Sequence, residues 1–293
     1  LEAVHGDYWI HIVGWNGDDD TSKKFSFIDN DVGRFADSGS DCYFYYKFNS
    51  NLADTCTTNG AGGTANVQGT GASTSSAGKM GNGLSLDGSD DYVDASIGSI
   101  DLTADWSFEA WIKYDTDLTA GDGYTIAAFE DGDNDMNEQE VTIGVHSMSD
   151  NTEEIYLCYD TCANMELTER LQTDEDLAIN TWYHIGVAYD HSDTFADIYI
   201  NGIAVVRDES SSESFVIGGD YDGAGTQKVI IGGDSAFARF SFFDGIIDDV
   251  RMVDYQRKAF GGLMLAHINH VDNTVKVFNA HDVSVNPDGV EIW

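Results

Sequence analysis

Proline is almost missing from this chain: Pro287 is the only one in 293 residues. Proline removes a ladder donor, so its absence leaves nearly the whole length free to form central strands. Basic residues are scarce too, 14 Lys and Arg against 52 Asp and Glu, for a net charge of −38. A surface of that sign repels a phosphate backbone, which excludes nucleic acid as a partner. No run of about 18 apolar residues occurs, so no membrane span is encoded. Asn-x-Ser/Thr sequons are absent, which argues against N-glycosylation. Nor does any repeat of about 20 to 50 residues recur, which disfavours solenoids and propellers. Cysteine is limited to Cys42, Cys56, Cys158 and Cys162, none at zinc-ribbon spacing and with no histidine pair to complete such a site.

What is present describes a folded protein with an acidic surface. Hydrophobic residues make up 42% and aromatics 12%, whereas disordered acidic chains are poor in aromatics. The length suits one large all-β domain or one domain with extensions. Of the 52 acidic residues 39 are Asp, clustered beside Gly and Asn in loop-like stretches. Short carboxylates in turns suit hard cations that take oxygen ligands, calcium above all; the alternative is surface hydration. The even cysteine count favours disulfides and an oxidising, extracellular or cell-surface location. Of the three connectivities, local pairing of Cys42 with Cys56 and of Cys158 with Cys162 is expected. The other reading is four buried thiols.

The most informative stretch runs from Gly81 to Lys113. Leu84 to Leu86 and Tyr92 to Ala95 alternate in hydrophobicity about an Asp-Gly-Ser-Asp-Asp corner, and Trp106, Phe108, Ala110 and Ile112 share one strand face. Tyr124–Phe129, Val141–Ser147 and Ile155–Tyr159 are β-rich and bounded by Asp, Gly or Asn, reading as successive antiparallel strands. Asn180 to Asp190 and Ala196 to Gly202 follow, with Asn201-Gly202 a strong two-residue hairpin signal because both residues tolerate positive φ. At most one or two short helices are expected, with Tyr255 to His267 the foremost candidate, although Gly261-Gly262 weakens it.

Three pieces in order resemble laminin-G-like domains of the concanavalin A-like lectin/glucanase superfamily. These are the Asp-Gly corner with its Tyr-Val strand and the "WIK" strand end, Trp182-Tyr183-His184 through Asn201-Gly202, and Phe243-Asp244-Gly245-Ile246-Ile247-Asp248-Asp249-Val250. The resemblance covers about residues 42–260 and implies an antiparallel β-sandwich jelly roll. It divides the chain into a strand-rich extension over 1–41, a jelly-roll domain over 42–260 and a second strand-rich extension over 261–293. The Gly- and Ser-rich run from Gly60 to Gly81 is then a connection inside the domain.

The resemblance also implies a structural calcium ion on the sandwich edge, held by Asp87, Asp248 and Asp249. A second candidate cation loop is Asp131-x-Asp133-x-Asp135, whose alternate oxygens mimic the opening of a helix-loop-helix calcium loop, although Met136 stands where that loop needs Gly. Catalysis is not expected. Glu138-x-Glu140 comes nearest to the paired carboxylates of glycanases but lacks their third acid, and no Gly-x-Ser-x-Gly elbow occurs. Phe237, Phe240, Phe242, Phe243 and Tyr221 are candidates for stacking on sugars, against the usual reading of sandwich aromatics as core.

The two ends distinguish this chain from a lone binding module. Tyr8, Trp9, Ile10, Ile12 and Trp15 lie in a stretch without Lys, Pro or acid, and Ile292 and Trp293 close the sequence. Unblunted strands of this kind are association surfaces. The chain is therefore expected to be a non-catalytic, calcium-stabilised subunit of a surface or matrix fibre, self-associating through its terminal strands. A glycan-binding or adhesion module is the alternative.

Overall fold

In the computed structural model, the residues described are 8–14, 21–27, 42–56, 63–98, 100–130, 141–147, 152–159, 170–207, 227–233, 240–257, 264–269 and 274–278. The chain runs through β1 (Tyr8–Gly14), β2 (Thr21–Phe27), β3 (Cys42–Tyr46), β4 (Asn66–Gln68), β5 (Ser73–Ala77), β6 (Asn82–Asp87) and β7 (Tyr92–Gly98). It continues through β8 (Trp106–Tyr114), β9 (Gly123–Glu130), β10 (Val141–Ser147), β11 (Glu153–Tyr159), β12 (Arg170–Gln172) and β13 (Tyr183–Asp190). The remaining strands are β14 (Phe195–Ile200), β15 (Ile203–Arg207), β16 (Gln227–Ile231), β17 (Phe240–Ser241), β18 (Asp244–Val253), β19 (Met264–Asn269) and β20 (Thr274–Phe278).

Two sheets form the expected jelly-roll sandwich. Sheet I has the order β15-β14-β13-β8-β18-β6-β5, with β3 also paired to β18. Sheet II has the order β12-β11-β10-β9-β16-β7-β4, with β17 added in parallel to β9. The period-2 pattern decides which face of each strand enters the core. On β8, Trp106, Phe108, Ala110, Ile112 and Tyr114 are fully buried. Phe129 of sheet II meets Phe44, Trp106 and Phe108 of sheet I at ring-centroid distances of 6.3, 6.4 and 6.0 Å. These edge-to-face and tilted contacts are where the two layers close on each other.

Asn201 and Gly202 form the expected two-residue turn, with φ of 52° and 80°, and Ile200 pairs directly with Ile203. The Gly- and Ser-rich run supplies β4 and β5, the outermost strands of sheets II and I. An edge strand needs less side-chain burial than a central one, so small polar residues suffice there. The helix expected over Tyr255 to His267 is not formed at Met264–Asn269, which is strand β19 paired with β20. The β-branched alternation of Thr274-Val275-Lys276-Val277-Phe278 offers a partner, and pairing overrides the weak helical propensity of Leu263 to Ala266. The β1–β2 and β19–β20 pairs each form a two-stranded sheet of their own. Cys42 and Cys56 are disulfide-bonded to each other. Cys158 is also disulfide-bonded, and Cys162 lies outside the described residues.

A buried charge cluster fastens the closing strand to its neighbours on the outer face of sheet I. Glu109 of β8 accepts hydrogen bonds from Arg251 Nε at 2.5 Å and Arg257 Nη1 at 2.6 Å, and its other oxygen lies 3.1 Å from His184 Nε2. Burial alone would raise the Glu109 pKa, but Arg251, Arg257 and His184 hold it well below the usual carboxylate range. Next to it, the Ser107 hydroxyl donates to the Tyr255 carbonyl at 2.8 Å and accepts from the Arg257 amide at 2.7 Å. Removing one partner of such a cluster strands the others uncompensated. Glu109→Ala should therefore cost about 3–5 kcal/mol in denaturant unfolding; a loss below about 1 kcal/mol would show that solvent replaces the carboxylate without penalty.

Candidate functional site

The corner between β6 and β7 gathers three carboxylates. Asp87 ends β6, Gly88 turns the chain with φ of 72°, and Asp90 and Asp91 follow. Ligand oxygens of Asp87, Asp90 and Asp91 all lie within 4.8 Å of one another. Local hydrogen bonds shape the corner: the Ser89 amide donates to Asp87 Oδ1 at 2.9 Å, and the Thr70 amide to Asp90 Oδ1 at 3.3 Å. Across from it passes the Gly69-Thr70-Gly71 connection. A Cβ on Gly71 would collide with Oδ2 of Asp91 and lie 2.9 Å from Oδ2 of Asp87. Glycine here leaves open the space into which both carboxylates point.

Asp91 is the unusual member, fully buried and with neither carboxylate oxygen hydrogen-bonded among the described residues. Burial pushes its pKa up and the nearby Asp87 adds to the rise, while the backbone amides of Ala72 and Asp87, close by but outside hydrogen-bond geometry, act in the opposite sense. A buried carboxylate without a partner is costly. Three carboxylates and no nitrogen or sulfur donor form a set that suits calcium, and a cation would satisfy the orphaned oxygens. The residues present therefore fit calcium, which Asp87, Asp90 and Asp91 would hold. There it would offset their mutual repulsion and fix the corner.

The three aspartates expected to share that ion do not come together. The register of β18 on β6 sets Asp244, not Asp248, opposite Asp87. Asp248 lies four residues further on, about 13 Å along the strand. Its oxygens accept from the amides of Met80 and Asp249, each at 2.9 Å, so it fastens the turn before β6. Burial pushes its pKa up to about 7 against the opposing Met80 amide. Asp249 sits in an irregularity of β18 with φ of 49° and accepts the Tyr45 hydroxyl at 2.7 Å. Asp90 and Asp91, which join Asp87 instead, are marked in the sequence by the Asp-Asp doublet that closes the corner. Asp131, Asp133, Asp135, Trp15, Ile292 and Trp293 lie outside the described residues. Tyr8, Trp9, Ile10 and Ile12 lie on β1, opposite Phe27, Ser26, Phe25 and Lys23 of β2.

A second arrangement lies on sheet II. Ile126, Val141, Ile143, Val145, Ile155 and Leu157 belong to the core, so strand alternation turns Thr125, Thr142, His146, Glu154 and Tyr156 to the opposite face. These outward groups are nonetheless buried. Gln172 Nε2 donates to Glu154 Oε2, and the Thr152 hydroxyl donates to Glu154 Oε1 at 3.2 Å. Thr125 Oγ1, Thr142 Oγ1 and Gln172 Oε1 have no partner among the described residues. The Tyr156 ring covers the backbone of Gly144, where any side chain would strike its hydroxyl. Of the expected stacking aromatics, Phe243 is core, Phe242 stacks on Tyr92 at 6.2 Å, and Phe237 and Tyr221 lie outside the described residues.

The family model of the concanavalin A-like lectin/glucanases superfamily, Laminin_G_3, matches residues 87–259. Similar solved structures include domain 4 of AbnA, a GH43 extracellular arabinanase from Geobacillus stearothermophilus, in complex with arabinotriose. It is 16% identical, with a TM-score of 0.49 over 75% of this chain and 94% of that one. The binding domain of botulinum neurotoxin serotype D is 15% identical, with a TM-score of 0.44 over 74% of this chain; the match spans 49% of the toxin chain. The CBM40 of Ruminococcus gnavus IT-sialidase, bound to alpha2,3 sialyllactose, is 11% identical, with a TM-score of 0.41 over 53% of this chain and 80% of that one. No curated protein matches the sequence.

The corner leads to a metal test. Calcium at a hundredfold excess over its dissociation constant should stabilise the protein by about 2.7 kcal/mol. In thermal unfolding the gain should vanish in Asp91→Asn. It should also shrink as pH falls toward the raised Asp91 pKa, because protons then compete for the same oxygens. An equal calcium response in wild type and variant would remove the site.

Proposed function

The chain belongs to the concanavalin A-like lectin/glucanase superfamily, and from that premise we propose that it is a non-catalytic, calcium-stabilised carbohydrate-binding module working outside the cell. The observation that carries this reading is the buried polar row on sheet II. Hydroxyl and amide oxygens on Thr125, Thr142 and Gln172 have no protein partner among the described residues. These atoms are shielded from solvent in this conformation, so a polyhydroxylated ligand would have to displace what covers them, an exchange favoured by the cost of leaving them unpaired. Glu154, the carboxylate on the row, is held by Gln172 and Thr152, whereas glycoside hydrolysis needs two carboxylates flanking one bond. The Cys42–Cys56 disulfide supports an oxidising location.

A second reading, a self-associating subunit of a surface or matrix fibre, draws on the terminal hairpins. β1–β2 and β19–β20 pair with themselves and with neither sandwich sheet among the described residues. Two-stranded ribbons are marginal alone, and their edges accept further strands. Repeated head-to-tail addition through such an edge gives an open filament unless a rotation closes it.

Two measurements separate these readings. On a glycan array the protein should bind a defined set of oligosaccharides, and Thr142→Val should weaken titrated binding of the best one about tenfold, one lost hydrogen bond, while the free protein melts no lower than wild type because an unpaired buried hydroxyl is removed. No glycan bound, or equal binding by the variant, would overturn the module reading. For the fibre, deletion of residues 1–20 should convert a scattering assembly to monomer; monomers before and after deletion, with and without calcium, exclude it.

A further inference from the structure

Sheet II carries a second set of outward groups on its β4–β7–β16 side, and these reach solvent. Val93, Ala95 and Ile97 of β7 are core, so Tyr92 and Asp94 turn to the outer face. Gln68 of β4 lies opposite Tyr92, and Ile230 of β16 opposite Asp94. Phe242 joins them from the connection between β17 and β18. The Phe243 amide donates to the Gly232 carbonyl at 2.8 Å and the Phe243 ring is fully buried, so Phe242, one residue before it, turns the other way. The Phe242 and Tyr92 rings lie nearly parallel, 18° apart with centroids at 6.2 Å. Gly233 makes that possible: a Cβ there would stand 2.6 Å from the Phe242 ring and 2.9 Å from Tyr92 Cβ. Both rings are only partly buried.

Beside the rings runs a polar ladder. Gln68 Nε2 donates to Asp94 Oδ1 at 3.0 Å, and Lys228 Nζ lies 3.9 Å from Asp94 Oδ2. Gln68, Asp94 and Lys228 are partly exposed as well, the Lys228 side chain at 38%. An amide, a carboxylate and an ammonium together hold more donors and acceptors than these contacts consume. Tyr92 and Asp94 stand about 7 Å apart along β7. An apolar surface and a group of mixed hydrogen-bonding side chains are therefore neighbours on one sheet face. The surroundings set the charge of the occupant. Lys228 is already engaged by Asp94 and is opposite Glu130 in register, and Asp90 and Asp91 directly precede Tyr92, so the patch offers no net positive charge.

We infer that the Tyr92–Phe242 ring pair with Gln68, Asp94 and Lys228 is a solvent-accessible subsite for a neutral pyranose oligosaccharide, an extension of the carbohydrate-binding reading on which it rests. A pyranose with equatorial hydroxyls presents an apolar C–H face and a polar rim. The face stacks on the rings, and rim hydroxyls, each both donor and acceptor, bridge the members of the ladder. An anionic sugar would bring its charge against Asp94 and the corner carboxylates and is disfavoured. In register, Asp94, Ile230, Ala128 and Thr142 follow one another across β7, β16, β9 and β10, which sets the ladder about 14 Å from the shielded Thr142. That distance exceeds one sugar ring. The subsite thus takes ligand without displacing what covers the Thr125–Thr142 row.

Calorimetric titration with cellohexaose, a neutral chain of equatorially substituted glucose, and with oligogalacturonate as its anionic counterpart tests the subsite. Cellohexaose should bind with little dependence on salt, and oligogalacturonate about tenfold more weakly. Tyr92→Ala and Phe242→Ala should each weaken cellohexaose binding about tenfold, whereas Tyr92→Phe, which keeps the ring, should stay within about twofold of wild type. Gln68→Ala, on an edge strand, should cost about threefold with unchanged melting, and it reads the subsite without disturbing the ring packing. Absence of cellohexaose binding, equal or tighter binding of oligogalacturonate, or unaltered binding by Tyr92→Ala, Phe242→Ala and Gln68→Ala would each overturn the subsite. Array glycans that respond to Thr142→Val but not to these variants would sink the subsite while leaving the carbohydrate-binding reading standing. An array without any hit, together with no cellohexaose binding, would remove both.

Discussion

One ten-residue strand holds the architecture together. β18 is hydrogen-bonded to β8 on one side and to β6 and β3 on the other, so a segment from the second half of the chain fills the gap between strands from the first. Its register sets where everything else stands. Asp244 lands opposite Asp87, Asp248 reaches the turn before β6, and Arg251 meets Glu109. A shift by one residue would turn every side chain of the strand to the wrong face, which the surrounding core forbids. The irregularity between Asp248 and Arg251 reconciles two demands: Ile247 and Val250 enter the core, while Arg251 is delivered to the outside.

Electrostatics divides the molecule unevenly. At the corner that gathers Asp87, Asp90 and Asp91, burial and the nearby Asp87 charge work against ionisation of Asp91. On the outer face of sheet I the buried Glu109 is instead compensated, by Arg251, Arg257 and His184. Both arrangements follow from placing charge where solvent is excluded. An unpaired buried charge is costly, so each is paired, cradled or left as an opening for something that pairs it.

Much of this was legible beforehand. The alternation from Trp106 to Ile112, the Asn201-Gly202 turn and the three motifs in order pointed to the sandwich, because period-2 burial and positive-φ turns are local properties. The jelly roll and the Cys42–Cys56 bond follow the sequence reading. Other features were not legible. Met264 to His267 looked helical by propensity, yet pairing with Thr274–Phe278 made them strand. Asp248 and Asp249 looked like ligands of the same ion as Asp87, yet they serve the Met80 turn and Tyr45. The polar row on sheet II carried no signal at all, since outward threonines and glutamines read as ordinary solvated residues.

The sequence by itself determined the strands of the sandwich, the side of each strand that enters the core and the acidic surface, all of which depend on residues a few positions apart. Tertiary structure alone decided which carboxylates meet, because Asp87 and Asp244 are brought opposite each other by strand register across more than half the chain. It also decided which cation sits on which ring, since Tyr45 and Arg251, and Trp111 and Lys79, come from segments far apart in sequence that pack side by side around β18. Local chemistry sets what a residue can do. Long-range pairing, which no short-range pattern encodes, sets what it does it with.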